Sequence, residues 1–174
     1  ITPIVFVAEC AQVNPHLSSQ IGDLQSDLEK LLIIEDKQFL TNLAKQLRYL
    51  IKFLKDPEAM YERLFANILR NSAKDKLMGH CYFIAGLLKG LGIRFLKKTN
   101  IIAKMQKIFD NSVKKDYKDI HVKVRKGCVM LSEALWLVFD RLFEPCLKQL
   151  LDFLLKFLGD TIEEVRTLTS DVMK

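Results

Sequence analysis

The chain has 174 residues, is 49% hydrophobic, and carries only 7 Gly and 4 Pro. That is apolar enough for a sizeable core and too poor in turn residues for long irregular or disordered stretches. The net charge of +6 is uneven: residues 89–126 hold twelve Lys/Arg against Asp110, Asp116 and Asp119, a net of +9, residues 1–88 balance, and residues 127–174 come to −3.

Apolar residues recur at three and four throughout, and few segments alternate as strands do, which predicts an all-α chain. Residues 3–13 read as the end of a helix broken at Asn14-Pro15. From 17 to 54, Leu24, Leu28, Leu31 and Leu32 form one stripe, and Leu40, Leu43, Leu47, Leu50, Ile51 and Leu54 another. One bent helix or two would fit, with a break predicted at Glu35–Lys37. Asp56-Pro57 opens the next helix: Asp56 can accept from free N–H groups, and Pro57 suits the first helical position. Its stripe is Met60, Leu64, Ile68 and Leu69, and Asn71-Ser72 is the predicted turn.

A second helix is predicted over 73–90, stopped by Gly90 and Gly92. Residues 94–110 read as one basic amphipathic segment, and 110–118 as an exposed loop. The stretch 119–143 is the clearest long helix, with Val124, Cys128, Leu131, Leu135, Val138 and Leu142 in its stripe. Pro145 to Leu158 forms the next, stopped by Gly159. Asp160-x-x-Glu163 then reads as a capping box for the last helix.

One phrase occurs twice: Asp119-x4-Val124-Arg125 recurs as Asp160-x4-Val165-Arg166. The predicted helices also pair, 57–70 with 73–90, 94–110 with 119–142, and 145–158 with 160–174. A period of about 40 to 47 residues built of helix pairs predicts a HEAT-type α-solenoid, with stacked antiparallel pairs in a right-handed superhelix. The period is approximate, since Gly79 and Gly127 align at a wider spacing and only the last two copies keep the phrase. Residues 1–174 are read as a single segment of a longer protein, with 1–55 less regular and 56–174 holding about three units, the last truncated. The Asp of the phrase would cap the second helix of each pair, the Val would face the core, and the Arg would reach an Asp of its own or the adjacent copy. Asp119, Arg125, Asp160 and Arg166 are therefore expected to be structural ties between copies. Phosphate binding by Arg125 and Arg166 is the sharper alternative.

Further words carry a resemblance: Ala85-Gly-Leu-Leu-Lys-Gly-Leu-Gly-Ile93, Leu142-Phe-Glu-Pro145, Leu154-Leu-Lys-Phe-Leu-Gly-Asp160 and Val165-Arg166. Over about residues 56–174, together they resemble the large translational activator of general amino-acid control, in its region similar to the HEAT repeats of fungal elongation factor 3. Residues 1–55 match less well, and His80 stands where a small residue is expected. The resemblance implies a cytoplasmic scaffold on translating or stalled ribosomes. It also implies two partners of the full-length protein, an ABC-type ATPase and the initiation-factor-2α kinase. The kinase-binding part lies further toward the C-terminus in the family, so no kinase contact is assigned to this chain.

No phosphate-binding loop, dinucleotide fingerprint, HExxH or nucleophile elbow occurs. His16, His80 and His121 are far apart in sequence and lack ligand spacing, so no metal, cofactor or enzymatic activity is expected. Cys10, Cys81, Cys128 and Cys146 have no CxxC spacing and read as buried reduced thiols, suiting a reducing compartment. Trp136, with Phe139 and Phe143 near it, reads as core or inter-repeat packing rather than a base-stacking platform. No run reaches about 18 apolar residues, so no membrane span is predicted. Candidate contacts to a ribosome or RNA are Lys97, Lys98, Lys114, Lys115, Lys118, Lys123 and Lys126, because a basic segment attracts acidic partners. A solvated lysine-rich helix face would read the same way. Two other readings stay open: a HEAT adaptor in another process, such as nuclear transport or kinase signalling, and a module that binds RNA directly.

Overall fold

The computed structural model describes residues 24–70, 76–113 and 119–174, with side chains described over 26–70, 76–111 and 122–174. Every regular element among them is helical. In chain order they are α1 (Leu24–Lys30), α2 (Lys37–Leu50), α3 (Pro57–Leu69), α4 (Leu77–Leu91), α5 (Ile93–Thr99), α6 (Ile101–Val113), α7 (Asp119–Phe139), α8 (Glu144–Leu158) and α9 (Glu163–Val172). Short 3₁₀ turns follow α1, α2 and α7. The predicted helix over 3–13, its break at Asn14-Pro15 and the turn at Asn71-Ser72 lie outside the described residues.

Side-chain caps decide two of the starts. Asp36 Oδ1 accepts from the Phe39 amide at 2.8 Å, which makes Glu35–Lys37 a true break and opens α2. Asp56 Oδ1 accepts from the Ala59 amide at 2.9 Å, with Pro57 leading α3. Each such cap contributes about 1 kcal/mol. Helix α4 ends at Leu91 because Gly92 takes φ +89°, where a side chain would be strained. Gly90 lies inside the helix rather than ending it.

Several expectations are corrected. The basic segment 94–110 is two helices, α5 and α6, separated by Asn100 in the left-handed conformation (φ 44°, ψ 55°). Asparagine tolerates that region better than other side chains, so an amphipathic pattern can be cut without a glycine. Helix α6 also runs on to Val113, into the predicted loop. The long helix stops at Phe139, since Asp140 has φ +53°, and Leu142 leaves the buried stripe to become 64% exposed. The capping box at Asp160 does not form: α9 begins at Glu163, its first turn has no side-chain cap, and Asp160 turns inward. Trp136 is 40% exposed, while Phe139 and Phe143 are buried against each other without it.

Helix α4 is the centre of the molecule. Its residues Gly79 to Leu88 are buried without interruption. It packs against α2 on one side and α7 on the other, with α3 also against it. The approach to α2 is close: a Cβ on Gly86 would lie 2.8 Å from the Ala44 carbonyl oxygen, so only glycine fits without a shift. Helix α7 packs in turn against α9, which gives a row α2–α4–α7–α9.

Helices α3, α5, α6 and α8 make a second row. Tyr61 of α3 meets Phe95 of α5 edge to face at 5.5 Å. Phe109 of α6 meets Phe157 and Phe153 of α8 at 4.4 and 6.2 Å. Such pairs add about 0.5–1.5 kcal/mol each beyond the area they bury. Across the rows α3 packs on α4, α6 on α7 and α8 on α9.

Candidate functional site

The two copies of the Asp-x4-Val-Arg phrase fall on α7 and on the approach to α9. Val124 and Val165 are both buried, so the Val of each copy faces the core. Arg125 and Asp160 are buried polar residues, and Arg125 Nη1 lies 3.3 Å from Asp160 Oδ2. This is a charge contact between α7 and the turn before α9. It is not a well-aligned hydrogen bond, for Asp160 Oδ2 has no hydrogen-bond donor among the described residues. The other carboxylate oxygen, Oδ1, accepts from the Ile162 amide at 2.9 Å. Arg166 does something different: its Nη1 donates to the carbonyl oxygens of Asp160 (2.7 Å) and Thr161 (3.0 Å). Asp119 is the first residue of α7, and its side chain lies outside the described residues.

Of the four candidate lysines whose side chains are described, two pair with glutamates and two do not. Lys98 on α5 faces Glu58 of α3 at 3.8 Å and lies 5.8 Å from the Phe95 ring centre. Lys126 on α7 donates to Glu164 of α9 at 2.6 Å, and that hydrogen bond holds the Glu164 carboxyl below its ordinary value. Lys97 and Lys123 are exposed and make no ion pair among the described residues. Lys114, Lys115 and Lys118 lie outside the described residues. A hollow of about 620 Å³ beside the start of α3 is lined by Lys55, Lys98 and Lys104, yet Asp56, Glu58 and Glu62 match them one for one. It offers no net charge to an anion.

Sequence reasoning missed a different basic group. Lys89, in the last turn of α4, donates from Nζ to the Val138 carbonyl at 2.6 Å, at the C-terminal end of α7. A cation there is favoured by the helix dipole. Burial lowers the Lys89 pKa, nearby Arg48 and Lys45 lower it further, and Asp140 opposes them. Arg48 lies 4.4 Å from the centre of the Tyr49 ring and hydrogen-bonds its hydroxyl. Lys45, Arg48 and Lys89 thus gather from two helices that local charge counting treats apart. The signal was absent because residues 1–88 sum to zero charge.

The remaining polar groups are held by structure. His80 is buried, with Nδ1 donating to the Lys76 carbonyl at 2.7 Å and Nε2 accepting from Asn67 at 3.3 Å in the neutral tautomer. Burial is the main cause that lowers its pKa. Burial likewise pushes the Cys128 thiol up to about 12 and raises Cys81, so both stay protonated and unreactive. Cys146 is half-buried, and Cys10, His16 and His121 lie outside the side chains described. Among the described residues no cluster of three or more His, Cys, Asp or Glu could hold a metal, and no helix is long and apolar enough to cross a membrane.

The chain is similar to proteins of translational control. It is 27% identical over 172 residues to the stalled ribosome sensor GCN1 of Homo sapiens, a match covering 98% of this chain and 6% of that protein. It is 29% identical over 163 residues to the eIF-2-alpha kinase activator GCN1 of Dictyostelium discoideum, covering 92% of this chain and 6% of that protein. It is also 29% identical over 110 residues to protein ILITYHIA of Arabidopsis thaliana, covering 62% and 4%. The resemblance to the large translational activator thus extends over nearly the whole chain, including residues 1–55. The chain spans about 6% of the length of the first two relatives. No family model matches. No solved structure matches.

Proposed function

We propose that this chain is a non-catalytic scaffold segment of a cytoplasmic, ribosome-associated translational activator, one that relays amino-acid starvation to the initiation-factor-2α kinase. The observation that carries this reading is the similarity over 98% of the chain to a protein named as a stalled ribosome sensor, supported by the kinase-activator name of a second relative. The two rows of helices suit a HEAT-type solenoid, in which each helix pair stacks on the next and the chain's product is a long surface. In that reading Arg125 and Asp160 are the tie that fixes one pair against the next, and Arg166 holds the turn that presents Asp160. Asp119 occupies the matching position in the preceding copy. The ABC-type ATPase goes with the elongation-factor-3-like region that this segment resembles, whereas the kinase is a partner of the full-length protein outside this segment.

Lys97, Lys114, Lys115, Lys118 and Lys123 are the proposed ribosome contacts, of which Lys97 and Lys123 are exposed, while Lys98 and Lys126 serve the internal pairs described above. The test is co-sedimentation with ribosomes at low salt. Binding is expected, and reversing Lys114, Lys115 and Lys118 to Glu should weaken it severalfold. Unaltered binding by that variant would remove the cluster, and no binding by the parent chain would remove the ribosome contact. A second reading, direct RNA binding, is favoured by the gathering of Lys45, Arg48 and Lys89 beside half-exposed Tyr49. It requires affinity for an RNA oligonucleotide to fall steeply with salt and to depend on those three residues.

A further inference from the structure

Two sequence words that the scaffold reading leaves without a task meet at one place in the fold. Ile93 ends the first, Ala85–Ile93, and the second is Leu142–Pro145. The structure brings Ile93 of the first and Leu142, Phe143 and Pro145 of the second to a cleft of about 370 Å³ between α5, α6 and the start of α8. Its floor is core: Leu96, Ile101, Ile102 and Phe143 are all buried. Its lips are Ile93 and Leu142, which are 52% and 64% exposed. Apolar side chains left this open beside a preformed hollow mark interaction sites more often than bare surface.

The cleft owes its shape to two left-handed residues, the only non-glycine ones with positive φ among the described residues. Asn100 lines it and separates α5 from α6, which opens the notch. Asp140 turns the chain after α7, so that Leu142 stands at the rim instead of in the helical stripe. One charged side chain lines the cleft, Lys97, and it makes no ion pair among the described residues. Asn100 and Gln149 add neutral polar groups.

We propose that this cleft is a docking site for a short acidic peptide segment of a protein partner, which inserts one large apolar side chain between Ile93 and Leu142 and sets a carboxylate against Lys97. An apolar anchor in a desolvated pocket with a charged rim is how such sites concentrate their binding energy. RNA is the poorer occupant, for a nucleic-acid strand requires several cations along its backbone and this lining has one. The site is separate from the ribosome contacts except for Lys97, and it stands whether or not the chain binds ribosomes.

Cys146 lines the cleft and is half-buried, while Cys81 and Cys128 are fully buried, so its alkylation reports occupancy. The probe is the acetylated hexapeptide Glu-Asp-Phe-Leu-Asp-Glu, compared with the basic analogue Lys-Arg-Phe-Leu-Arg-Lys and an oligouridylate. Iodoacetamide labelling of Cys146 in the 174-residue chain is followed by mass spectrometry of the fragment that carries it. The acidic probe should slow labelling by about threefold or more at saturation, and the other two should not. Lys97→Glu should transfer the preference to the basic peptide. Leu142→Asp and Ile93→Asp, both at exposed positions and checked for unchanged helicity, should each abolish protection. No protection by the acidic peptide, equal protection by both peptides, or an unchanged preference in Lys97→Glu would overturn the proposal. Protection by oligouridylate would replace the peptide with RNA, and protection that rises with the concentration of the chain alone would replace it with a second copy.

Discussion

The same phrase does two different things in its two copies. Arg125 crosses from α7 to reach Asp160, and both side chains are almost fully withdrawn from water, at 5% and 0% exposure. Arg166, the equivalent residue on α9, is half-exposed and turns back on carbonyls of its own turn. Sequence makes the two arginines equivalent, but burial does not. A buried guanidinium is costly without a counter-charge, whereas a half-exposed one is satisfied by backbone oxygens and water. The lesson is that a repeated residue takes its function from what lies opposite it.

The sharpest test of that difference is Asp160→Ala, which strands the Arg125 charge in the interior. A loss of about 3–5 kcal/mol is expected in urea unfolding, as for other broken buried pairs. Replacing both partners, Arg125→Met with Asp160→Leu, should recover most of that loss, because the penalty comes from an unpaired charge rather than from a missing attraction. A double variant as unstable as the single one would show that the pair does more than neutralise itself.

Arg166→Ala should cost about 1 kcal/mol, the net worth of hydrogen bonds to carbonyls at a partly hydrated site. If thermal unfolding gave it the same loss as Asp160→Ala, the two copies would be mechanically alike and the comparison would fail.

His80 extends the contrast to a buried group that can shed its charge. Its folded pKa lies below the ordinary value of 6.5, so in acid the unfolded chain takes up the proton first. Stability should be full above about pH 6.5 and decline as pH falls from there toward the folded value. Urea midpoints across that range in the parent and in His80→Gln would check this, with the flatter dependence in the variant. Smallest of all is Lys126→Ala. The Lys126–Glu164 pair also links α7 to α9, but at an exposed site, so the melting temperature should not move measurably.

Much of the fold was legible in the residues. The apolar spacing of α2, α3, α7 and α8 announces helices, and Asp36 and Asp56 mark starts because capping is a contact over three residues. The interruptions were harder. Asn100 cuts α5 from α6, and Asp140 ends α7, without Gly or Pro to signal it. Asp160-x-x-Glu163 has the spacing of a capping box, yet the carboxylate faces Arg125 because tertiary burial outweighs a local cap. Of the candidate lysines, net charge located the region but not the partners: Lys98 and Lys126 meet glutamates 40 and 38 positions away in the chain by difference of their numbers.

By itself, the sequence determined that the chain is helical, where several helices begin, that Val124, Val165, Cys81 and Cys128 are buried, and which translational proteins it resembles. These follow from short-range periodicity, from caps, and from words long enough to be matched. Tertiary structure alone decided that Arg125 meets Asp160, that Lys45, Arg48 and Lys89 gather at the end of α7, and that Ile93 and Leu142 face each other across a cleft. Charge pairing and exposure depend on which helix lies opposite, and a pattern read along one helix carries no record of its neighbour.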